Sequence, residues 1–380
     1  MNPIRSKVNL IVGLLAIFIF SLFIGASEVE SGYKEGIFVK TKDGKYELKI
    51  NARIQFLGYY SSFENKIPSE KGFSIRRARL YFKGNGFYPW LKYYTQLTME
   101  GDKISLRDFY LDFEKNKKIS PKIGQYKVPF NREFLTSSAD LQLVDRSIIN
   151  NEFEVGRDIG MSLVGNFNSR FNYFIGIFNG SGKYYKNLDK DLLYAGRVMW
   201  TPAGELKYSQ SSLEYPENPI FALGAAFAYF PGYEPLKENS EDRKTLSNAV
   251  KTVSTGTSDV SQFVLDFAFK YKGFSLEGDY HYRNITPEEL SAKKLESYGF
   301  RIQGGYLFES KRWEIALRYS SLDPNISKEN DIQKEITAGL NYFIQRHKLK
   351  IQGDYSYLIK EIGNRKEKET RLRTQLQFYF

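Results

Sequence analysis

The chain has 380 residues, no cysteine, 16% aromatic residues and a formal net charge of +11. Its mean hydropathy of −0.45 excludes a bundle of membrane-spanning helices, because several long apolar runs would raise that value. Since cysteine is absent, an exported form of the chain does not depend on disulfide bonds.

The N-terminus has the layout of a cleaved export signal. Arg5 and Lys7 form a basic region, an apolar stretch runs from Val8 to Ile24, and small residues follow at 25–27. We therefore predict that residues 1–26 are a signal peptide. The apolar stretch is long for a signal, so a retained membrane anchor is the alternative.

Residues 27–45 form the next predicted unit, a short periplasmic segment. It contains Asp43-Gly44, a pair that is typical of a β-hairpin turn, so the segment adds a small hairpin or an extra strand. Residues 46–380 are predicted to form one transmembrane β-barrel.

Alternation of apolar and polar side chains is the dominant pattern after residue 45. In the segment 73–84 one face holds Ala78, Leu80 and Phe82, and the other holds Arg77, Arg79, Tyr81 and Lys83. Stretches of this kind are roughly 10–12 residues long, which is the length that a tilted strand needs to cross a bilayer. About sixteen strands are predicted, near 46–60, 72–84, 88–100, 103–115, 119–129, 156–167, 170–179, 192–201, 219–230, 260–272, 273–284, 296–308, 311–321, 333–345, 347–358 and 369–380.

The connections between these strands alternate in length. Tight turns are predicted at Asn85-Gly86, Asn168-Ser169, Lys272-Gly273, Glu309-Ser310 and Arg346-His347. Longer polar loops are predicted at 61–71, 130–155, 180–191, 231–259, 285–295, 322–332 and 359–368, and two connections (Gly101-Asp102 and 202–218) break the rule. Short turns on one side and long loops on the other are typical of an outer-membrane barrel.

The predicted fold class is therefore all-β, a transmembrane antiparallel β-barrel of about sixteen strands. The alternative is a soluble sandwich or β-helix with half-buried strands. Aromatic residues near the strand ends, as in the girdles of membrane barrels, and the even strand lengths favour the barrel.

Several motifs between residues 72 and 180 go beyond alternation. They are the RRARL strand from Arg76, the GQYKVPF strand end from Gly124, the LTSSADLQLVDRS loop from Leu135 and the GRDIG strand from Gly156. In order and spacing this region resembles the phosphate-selective porin O/P family. The resemblance implies a sixteen-stranded barrel, usually a homotrimer, which passes small solutes and often anions across the bacterial outer membrane.

A barrel of this size is too wide for side chains to fill, so we expect a water-filled lumen lined by the polar strand faces. The basic residues predicted to line the pore are Arg53, Arg77, Arg79, Lys83, Arg301 and Arg318. The 130–155 loop carries an apolar spine that a solvated external loop would not need, so we expect it to fold into the lumen. Its predicted constriction residues are Arg132, Glu133, Asp140, Asp145 and Arg146. The alternative is an external loop that clasps a neighbouring subunit.

The charge pattern leaves the ion preference open. Arginines clustered on one wall favour anions, and the arginine fork suits phosphate because it binds two oxygens at once. The acids of the 130–155 loop and of the lumen faces oppose this preference. We therefore expect a fairly unspecific porin for the passive diffusion of small hydrophilic solutes, with a weak preference for anions or phosphate.

Other classes of function have less support. The only histidines are His281 and His347, and His281 lies on a polar strand face, so no hydrolase is predicted. No metal, nucleotide or other cofactor is implied by any motif, and the spread of basic residues does not indicate nucleic-acid binding. An adhesin that binds ligands through its external loops is the alternative function.

The last predicted strand carries a further signal. Phe378 and Phe380 lie on its apolar face, and the strand must pair with the first strand so that no edge faces lipid. It also resembles the C-terminal signature that the bacterial barrel-assembly machinery reads. The predicted partners are outer-membrane lipid, that machinery, small ions or phosphate-like solutes and, as the family resemblance implies, two further copies of the chain.

Overall fold

We describe the fold from a computed structural model, which covers residues 28–64, 66–100, 103–183, 191–235, 243–289 and 291–380. The predicted signal peptide at 1–26 lies outside these residues. None of the helices in the described ranges is long and apolar enough to span a membrane.

Strands make up most of the described chain. Their bounds are β1 Val29–Tyr33, β2 Ile37–Thr41, β3 Glu47–Phe63, β4 Lys66–Asn85, β5 Leu91–Glu100, β6 Lys103–Phe113, β7 Ser120–Lys127, β8 Arg157–Phe167, β9 Phe171–Phe178, β10 Leu193–Trp200, β11 Ile220–Tyr233, β12 Ser258–Tyr271, β13 Phe274–Pro287, β14 Leu295–Leu307, β15 Trp313–Asp323, β16 Gln333–Gln345, β17 Leu349–Ile362 and β18 Arg365–Tyr379. The helices of the described part are α1 Arg132–Leu135, α2 Ile148–Phe153 and α3 Lys244–Lys251.

The strands from β3 to β18 close into a barrel. Each pairs antiparallel with the next, and β18 pairs with β3 in a register that includes Leu372 opposite Tyr60 and Phe378 opposite Ile54. The closure extends to Phe380, which exchanges two backbone hydrogen bonds of 3.0 Å with Ala52. The prediction of a closed antiparallel barrel of about sixteen strands is confirmed, counted over the residues that the structure describes.

Strands β1 and β2 form a hairpin that is attached to the barrel at the start of β3, next to the part of β3 that pairs with β18. β2 pairs with the first residues of β3, from Ile37 opposite Ile50 to Lys40 opposite Glu47, where β18 no longer reaches. Gly44, which has a φ of 69°, turns the chain between β2 and β3. The hairpin thus continues the sheet at the end of the barrel where β3 begins.

The alternation in the sequence becomes an inner and an outer face. In β12 the side chains of Phe263 and Leu265 are 37% and 49% exposed, whereas Gln262 before them and Asp266 after them are 2% and 6% exposed. Apolar side chains point outward and polar ones inward, which is the pattern that a lipid-facing barrel requires. The inward side chains therefore have to find their partners inside the barrel.

Connection length divides the barrel into a turn end and a loop end. At the turn end β12 and β13 are joined by two residues, Lys272 and Gly273, whose φ values of 40° and 83° match the twist of a tight hairpin. The predicted loops at 61–71 and 359–368 are wrong, because β3, β4, β17 and β18 continue through most of these residues. Ion pairs across these strands, such as Lys366–Glu361 at 2.9 Å, stabilise polar strand extensions that the sequence pattern could not distinguish from loops.

Helices occur in two of the long connections at the loop end. α1 and α2 lie between β7 and β8, and α3 lies between β11 and β12. Leu246 and Val250 of α3 pack in an apolar cluster with Phe130 and Phe230. Arg243, which precedes α3, forms a buried ion pair of 2.7 Å with Asp158 of β8. These contacts hold the loop that contains α3 against the strands next to the β7–β8 connection.

Candidate functional site

The long loop (residues 128–156) makes most of its contacts with inward-facing side chains of the barrel. Its apolar residues Leu141, Leu143 and Val144 are at most 2% exposed. The backbone N–H of Val144 donates to Asp354 of β17 at 2.9 Å, and Gln142 donates to Glu314 of β15 at the same distance. The spine predicted from the sequence is thus buried against the strands.

Glu133 is the most enclosed acid of the long loop. Its carboxylate is 0% exposed and accepts hydrogen bonds from the backbone N–H and the hydroxyl of Ser147, at 2.9 and 2.6 Å. Two predicted pore-lining residues face it, Arg301 at 3.4 Å and Arg318 at 3.8 Å. Arg301 also pairs with Asp279, and Arg318 with Glu335. These arginines are therefore neutralised by carboxylates.

Arg132 connects the same part of the loop to β13 and to the segment between β10 and β11. Its Nε donates to Glu277 of β13 at 2.9 Å, and its Nη2 donates to the carbonyl of Lys207 at 2.7 Å. Lys207 belongs to the turn-end segment (residues 201–219), which connects β10 and β11. In that segment Gln210 donates to the carbonyl of Asp140 at 3.1 Å and accepts from the backbone of Gln142 at 2.9 Å. The segment that breaks the turn rule therefore meets the long loop.

Three arginines of the barrel wall form ion pairs with the carboxylate of Asp145. Its carboxylate lies 2.8 Å from Arg77, 3.1 Å from Arg76 and 3.1 Å from Arg373. Burial acts to raise the pKa of Asp145, but these positive charges outweigh it and hold the pKa well below its usual range. Asp145 is consequently charged at neutral pH and cancels part of the positive field of the wall.

Arg146 supports the loop from within. It donates to the carbonyl of Glu133 at 2.9 Å and to that of Thr136 at 2.6 Å. Burial, together with the neighbouring charge of Arg77, lowers the pKa of Arg146 to about 10. The side chain stays protonated at neutral pH, and it binds backbone carbonyls close to the end of α1.

Arg53 and Arg79 converge on a different part of the loop. Both donate to the hydroxyl of Ser138, at 2.9 and 3.1 Å, and Arg53 also donates to Ser137 at 3.1 Å. Gln55 of the same strand donates to the carbonyl of Ser138 at 2.9 Å. Neither arginine has a carboxylate oxygen within 4.0 Å among the described residues. Among the predicted arginines, this pair is the least neutralised.

Two of the cavities that border the loop are lined by most of the predicted pore-lining and constriction residues. The larger has a volume of about 840 Å³ and is lined by Arg53, Arg79, Ser138 and Asp140, among others. The second has a volume of about 310 Å³ and is lined by six arginines and three carboxylates: Arg76, Arg77, Arg107, Arg146, Arg371, Arg373, Asp145, Glu154 and Glu335. Burial raises the pKa of Asp140 above its usual range, although Lys350 and Arg53 oppose the shift.

The structure places five of the six predicted basic residues in three groups. Arg77 lies at Asp145, Arg301 and Arg318 lie at Glu133, and Arg53 and Arg79 lie at Ser138. Lys83 is apart from all of them, in a cavity of about 280 Å³ with Lys49 and Lys92 near the turn end. Phe378 and Phe380 are on the outer face of the closing strand, 48% and 37% exposed.

Sequence reasoning missed Arg76 as a site residue. The register between β3 and β4 shifts after Gln55–Arg77, because Ile75 rather than Arg76 is opposite Phe56. This bulge adds one residue and lets Arg76 reach Asp145 beside Arg77. The sequence does contain a signal of this bulge. The apolar side chains are at odd-numbered positions at Phe73 and Ile75 but at even-numbered positions at Ala78 and Leu80.

Known proteins are similar to this chain in family and in fold. The family model for phosphate-selective porin O and P matches residues 47–380. An uncharacterized protein of Aquifex aeolicus (strain VF5) is 26% identical over 88% of this chain and 87% of its own length.

Solved structures with a similar fold are outer-membrane proteins. An anion-selective porin from Comamonas acidovorans has a TM-score of 0.64 at 12% identity and covers 87% of this chain and 99% of its own. The outer-membrane channel DcaP of Acinetobacter baumannii has a TM-score of 0.58 at 12% identity, covering 90% and 99%. The trimer form of OmpT of Vibrio cholerae has a TM-score of 0.54 at 11% identity, covering 88% and 99%.

The family model spans the barrel from its first strand to its closing strand, and the neighbours are similar to it in fold. The protein is accordingly a channel of the bacterial outer membrane, and it belongs to the family of phosphate-selective porins O and P.

Proposed function

We propose that this channel passes small hydrophilic solutes by passive diffusion and that it prefers anions. The observation that carries the proposal is the pair Arg53 and Arg79, which converge on Ser138 without a carboxylate within 4.0 Å in the described part of the chain. Fixed charge within a Debye length of about 8 Å sets the local ion occupancy of a pore. Uncompensated guanidinium groups beside the larger cavity therefore favour anions there.

The acids of the long loop weaken this preference less than their number suggests. Glu133 faces Arg301 and Arg318, and Asp145 faces three arginines. A carboxylate that is already paired contributes little net charge to a passing ion. Only Asp140 among the predicted constriction acids lines the larger cavity, so it is the one predicted acid whose charge offsets part of that of Arg53 and Arg79 there.

The long loop is the proposed constriction. It contacts inward-facing residues of strands on opposite parts of the barrel, from Gln55 of β3 to Glu277 of β13 and Asp354 of β17. A loop with such contacts narrows the water-filled lumen and brings solutes within reach of Arg53 and Arg79. The partly exposed Arg79 and the hydroxyl of Ser137 can bind the oxygens of a phosphate-like anion, and the buried Arg53 adds its charge.

The turn end is proposed to face the periplasm, as short turns do in this class of barrel. We further propose that residues 1–26 are a cleaved signal and that the chain assembles as a homotrimer. The trimer form of OmpT, a neighbour in fold, supports this assembly as an analogy. Chemical cross-linking of the purified channel should give a trimer band that survives heating in detergent, whereas heating should dissociate the trimer that is not cross-linked.

The anion preference is tested by removing the two unpaired charges. We expect the double variant R53Q/R79Q to shift the reversal potential in asymmetric KCl towards cations, because glutamine keeps a hydrogen-bond donor but removes the charge. R312Q/R346Q is the matched control, because it also removes two charges: both arginines are exposed near tight turns, and Arg346 has 63% of its side chain accessible. An equal shift in both variants, or none in R53Q/R79Q, would contradict the proposal.

A further inference from the structure

The inner wall carries a row of phenol rings across neighbouring strands. We name Tyr379, Tyr81, Tyr94, Tyr110 and Tyr126 the tyrosine arc; they belong to β18, β4, β5, β6 and β7. The ring centroids follow one another at 5.8, 6.4, 5.2 and 5.7 Å in that order. Each ring is therefore in contact distance of the next.

The arc faces the larger cavity. All five tyrosines line the space of about 840 Å³ that Arg53 and Arg79 also line. Tyr94 and Tyr110 are the central pair, stacked with an angle of 18° between their planes. Both are only partly buried, so ring surface is accessible from the cavity.

Inward positions elsewhere in the barrel have a different composition. Strands β12 to β17 present inward side chains that are polar and buried, among them Gln262, Asp266, Arg301, Gln303, Arg318 and Gln352. Several of them bind the long loop: Gln303 donates to Gln142, and Gln352 donates to the carbonyl of Leu141, both at 3.0 Å. The rings are thus on the part of the wall that borders open space rather than on the part that holds the loop.

Ring surface beside a water-filled space is unfavourable unless a solute covers it. Part of the arc has a packing role, since Tyr126 belongs to the apolar cluster and its hydroxyl bonds to Ser162 at 2.7 Å. Tyr110 also packs against this cluster with part of its ring, but Tyr110 and Tyr94 are only partly buried, whereas Tyr126 is 3% exposed. These two rings are the part of the arc that is open to a ligand.

Cations are placed at both ends of this surface. The ammonium of Lys122 is 3.6 Å from the ring centroid of Tyr110, and the guanidinium of Arg53 is 5.8 Å from that of Tyr81. Lys122 also pairs with Asp112 at 3.7 Å, so Arg53 is the less neutralised of the two. A solute that rests on the rings has a positive group within reach of its anionic end.

We propose that the tyrosine arc is a stacking subsite for organic anions that carry a flat apolar ring. The ring packs on Tyr94 and Tyr110, and the anionic group turns towards Arg53 and Arg79. This inference rests on the proposed anion preference and adds the class of solute. It makes ring-bearing phosphates or carboxylates better ligands of the channel than equally charged anions without a ring.

The test compares two probes that share one charged group. Phenyl phosphate and methyl phosphate are each titrated against the KCl current of the channel in a planar bilayer. The wild-type channel should be half-blocked by phenyl phosphate at a concentration about two- to tenfold lower than by methyl phosphate, which is the range that one aromatic contact provides. Equal half-block concentrations would overturn the proposal.

Variants then assign the effect to the arc. Y94A/Y110A should bring the ratio of the two half-block concentrations close to one, whereas Y94F/Y110F, which keeps both rings, should preserve it. Tyr355→Ala, on the outer face with 50% exposure, controls for partition of the aromatic probe into lipid and should also preserve the ratio. A ratio that survives in Y94A/Y110A would show that the arc is structural only.

Two further measurements separate loss of the subsite from loss of assembly or of anion preference. If the double alanine variant does not assemble, the single variant Tyr94→Ala gives the same comparison, with a smaller fall of the ratio expected. The reversal potential of Y94A/Y110A in KCl alone should equal that of the wild type, because the tyrosines carry no charge. If the proposed anion preference is wrong, the reversal potential will show it. If the proposed subsite is wrong, the ratio of the two half-block concentrations will show it.

Discussion

Replacing Asp145 by asparagine should make the channel more selective for anions. The carboxylate of Asp145 lies within 3.1 Å of Arg76, Arg77 and Arg373, and its depressed pKa keeps it charged at neutral pH. The six arginines and three carboxylates around its cavity leave a formal excess of three positive charges. Asp145→Asn raises that excess to four.

The size of the effect follows from Coulomb's law. One unit charge acts on a passing ion about 4 Å away with about 1 kcal/mol in a water-filled lumen, which changes the local anion concentration about fivefold. Screening reduces this value, because the Debye length falls to about 3 Å in 1 M salt. At low salt the local anion concentration should therefore rise, and the local cation concentration fall, by up to about fivefold each. Both changes raise the ratio of anion to cation permeability, and they should be much smaller at 1 M.

The assay is the reversal potential of reconstituted channels under a KCl gradient at low and at high mean salt. Asp43→Asn is the matched control, because Asp43 lies in the exposed turn between β2 and β3 and its loss removes the same charge. An unchanged reversal potential in Asp145→Asn, or a shift towards cations, would refute the reasoning. The same shift in Asp43→Asn would assign the effect to net charge instead of position.

Three further expectations concern the loop and the seam. Glu133→Gln should loosen the long loop by about 1–3 kcal/mol, because it removes the charge that faces Arg301 and Arg318 while both keep another carboxylate; the folded band on gels should be lost at a lower temperature. Because the pKa of Asp140 is raised, lowering the pH should neutralise it earlier than an ordinary carboxyl group and increase anion preference, a pH dependence that Asp140→Asn should abolish. Phe380→Ala should reduce the yield of heat-modifiable barrel on gels more than Phe274→Ala, which removes an aromatic residue that is 40% exposed and away from the seam.

The barrel could be predicted from the sequence because its rule is local. Every second side chain faces lipid, so the apolar phase marks each strand without knowledge of its partners. The pairing of the last strand with the first also follows, since an open edge is not tolerated in hydrocarbon. The strands β17 and β18 show where this rule ends, because beyond the lipid both faces are polar and alternation no longer marks the strand.

The contacts of the site could not be predicted in the same way. Asp145 meets Arg77 and Arg373, which are 68 and 228 residues away in the sequence. Which arginine is neutralised depends on the path of the long loop across the wall, and no local pattern determines that path. The acids of the loop were consequently interpreted as opposing anion selectivity, whereas the structure pairs Glu133 and Asp145 with arginines.

The turn-end segment and Arg76 show two intermediate cases. The segment 202–218 stood out as too long for a turn, but its contact with Asp140 and Gln142 depends on the position of the loop. The bulge at Arg76 is visible as a change of apolar phase in the sequence, although the ligand of Arg76 is not. Both features were detectable as irregularities before their role was known.

The reversal potential of the wild-type channel in a KCl gradient tests the central claim most directly. Because Arg53 and Arg79 are uncompensated beside the larger cavity, the account predicts a reversal on the anion side at low salt and a smaller one at 1 M. A reversal on the cation side, or one that does not change with salt, would contradict it.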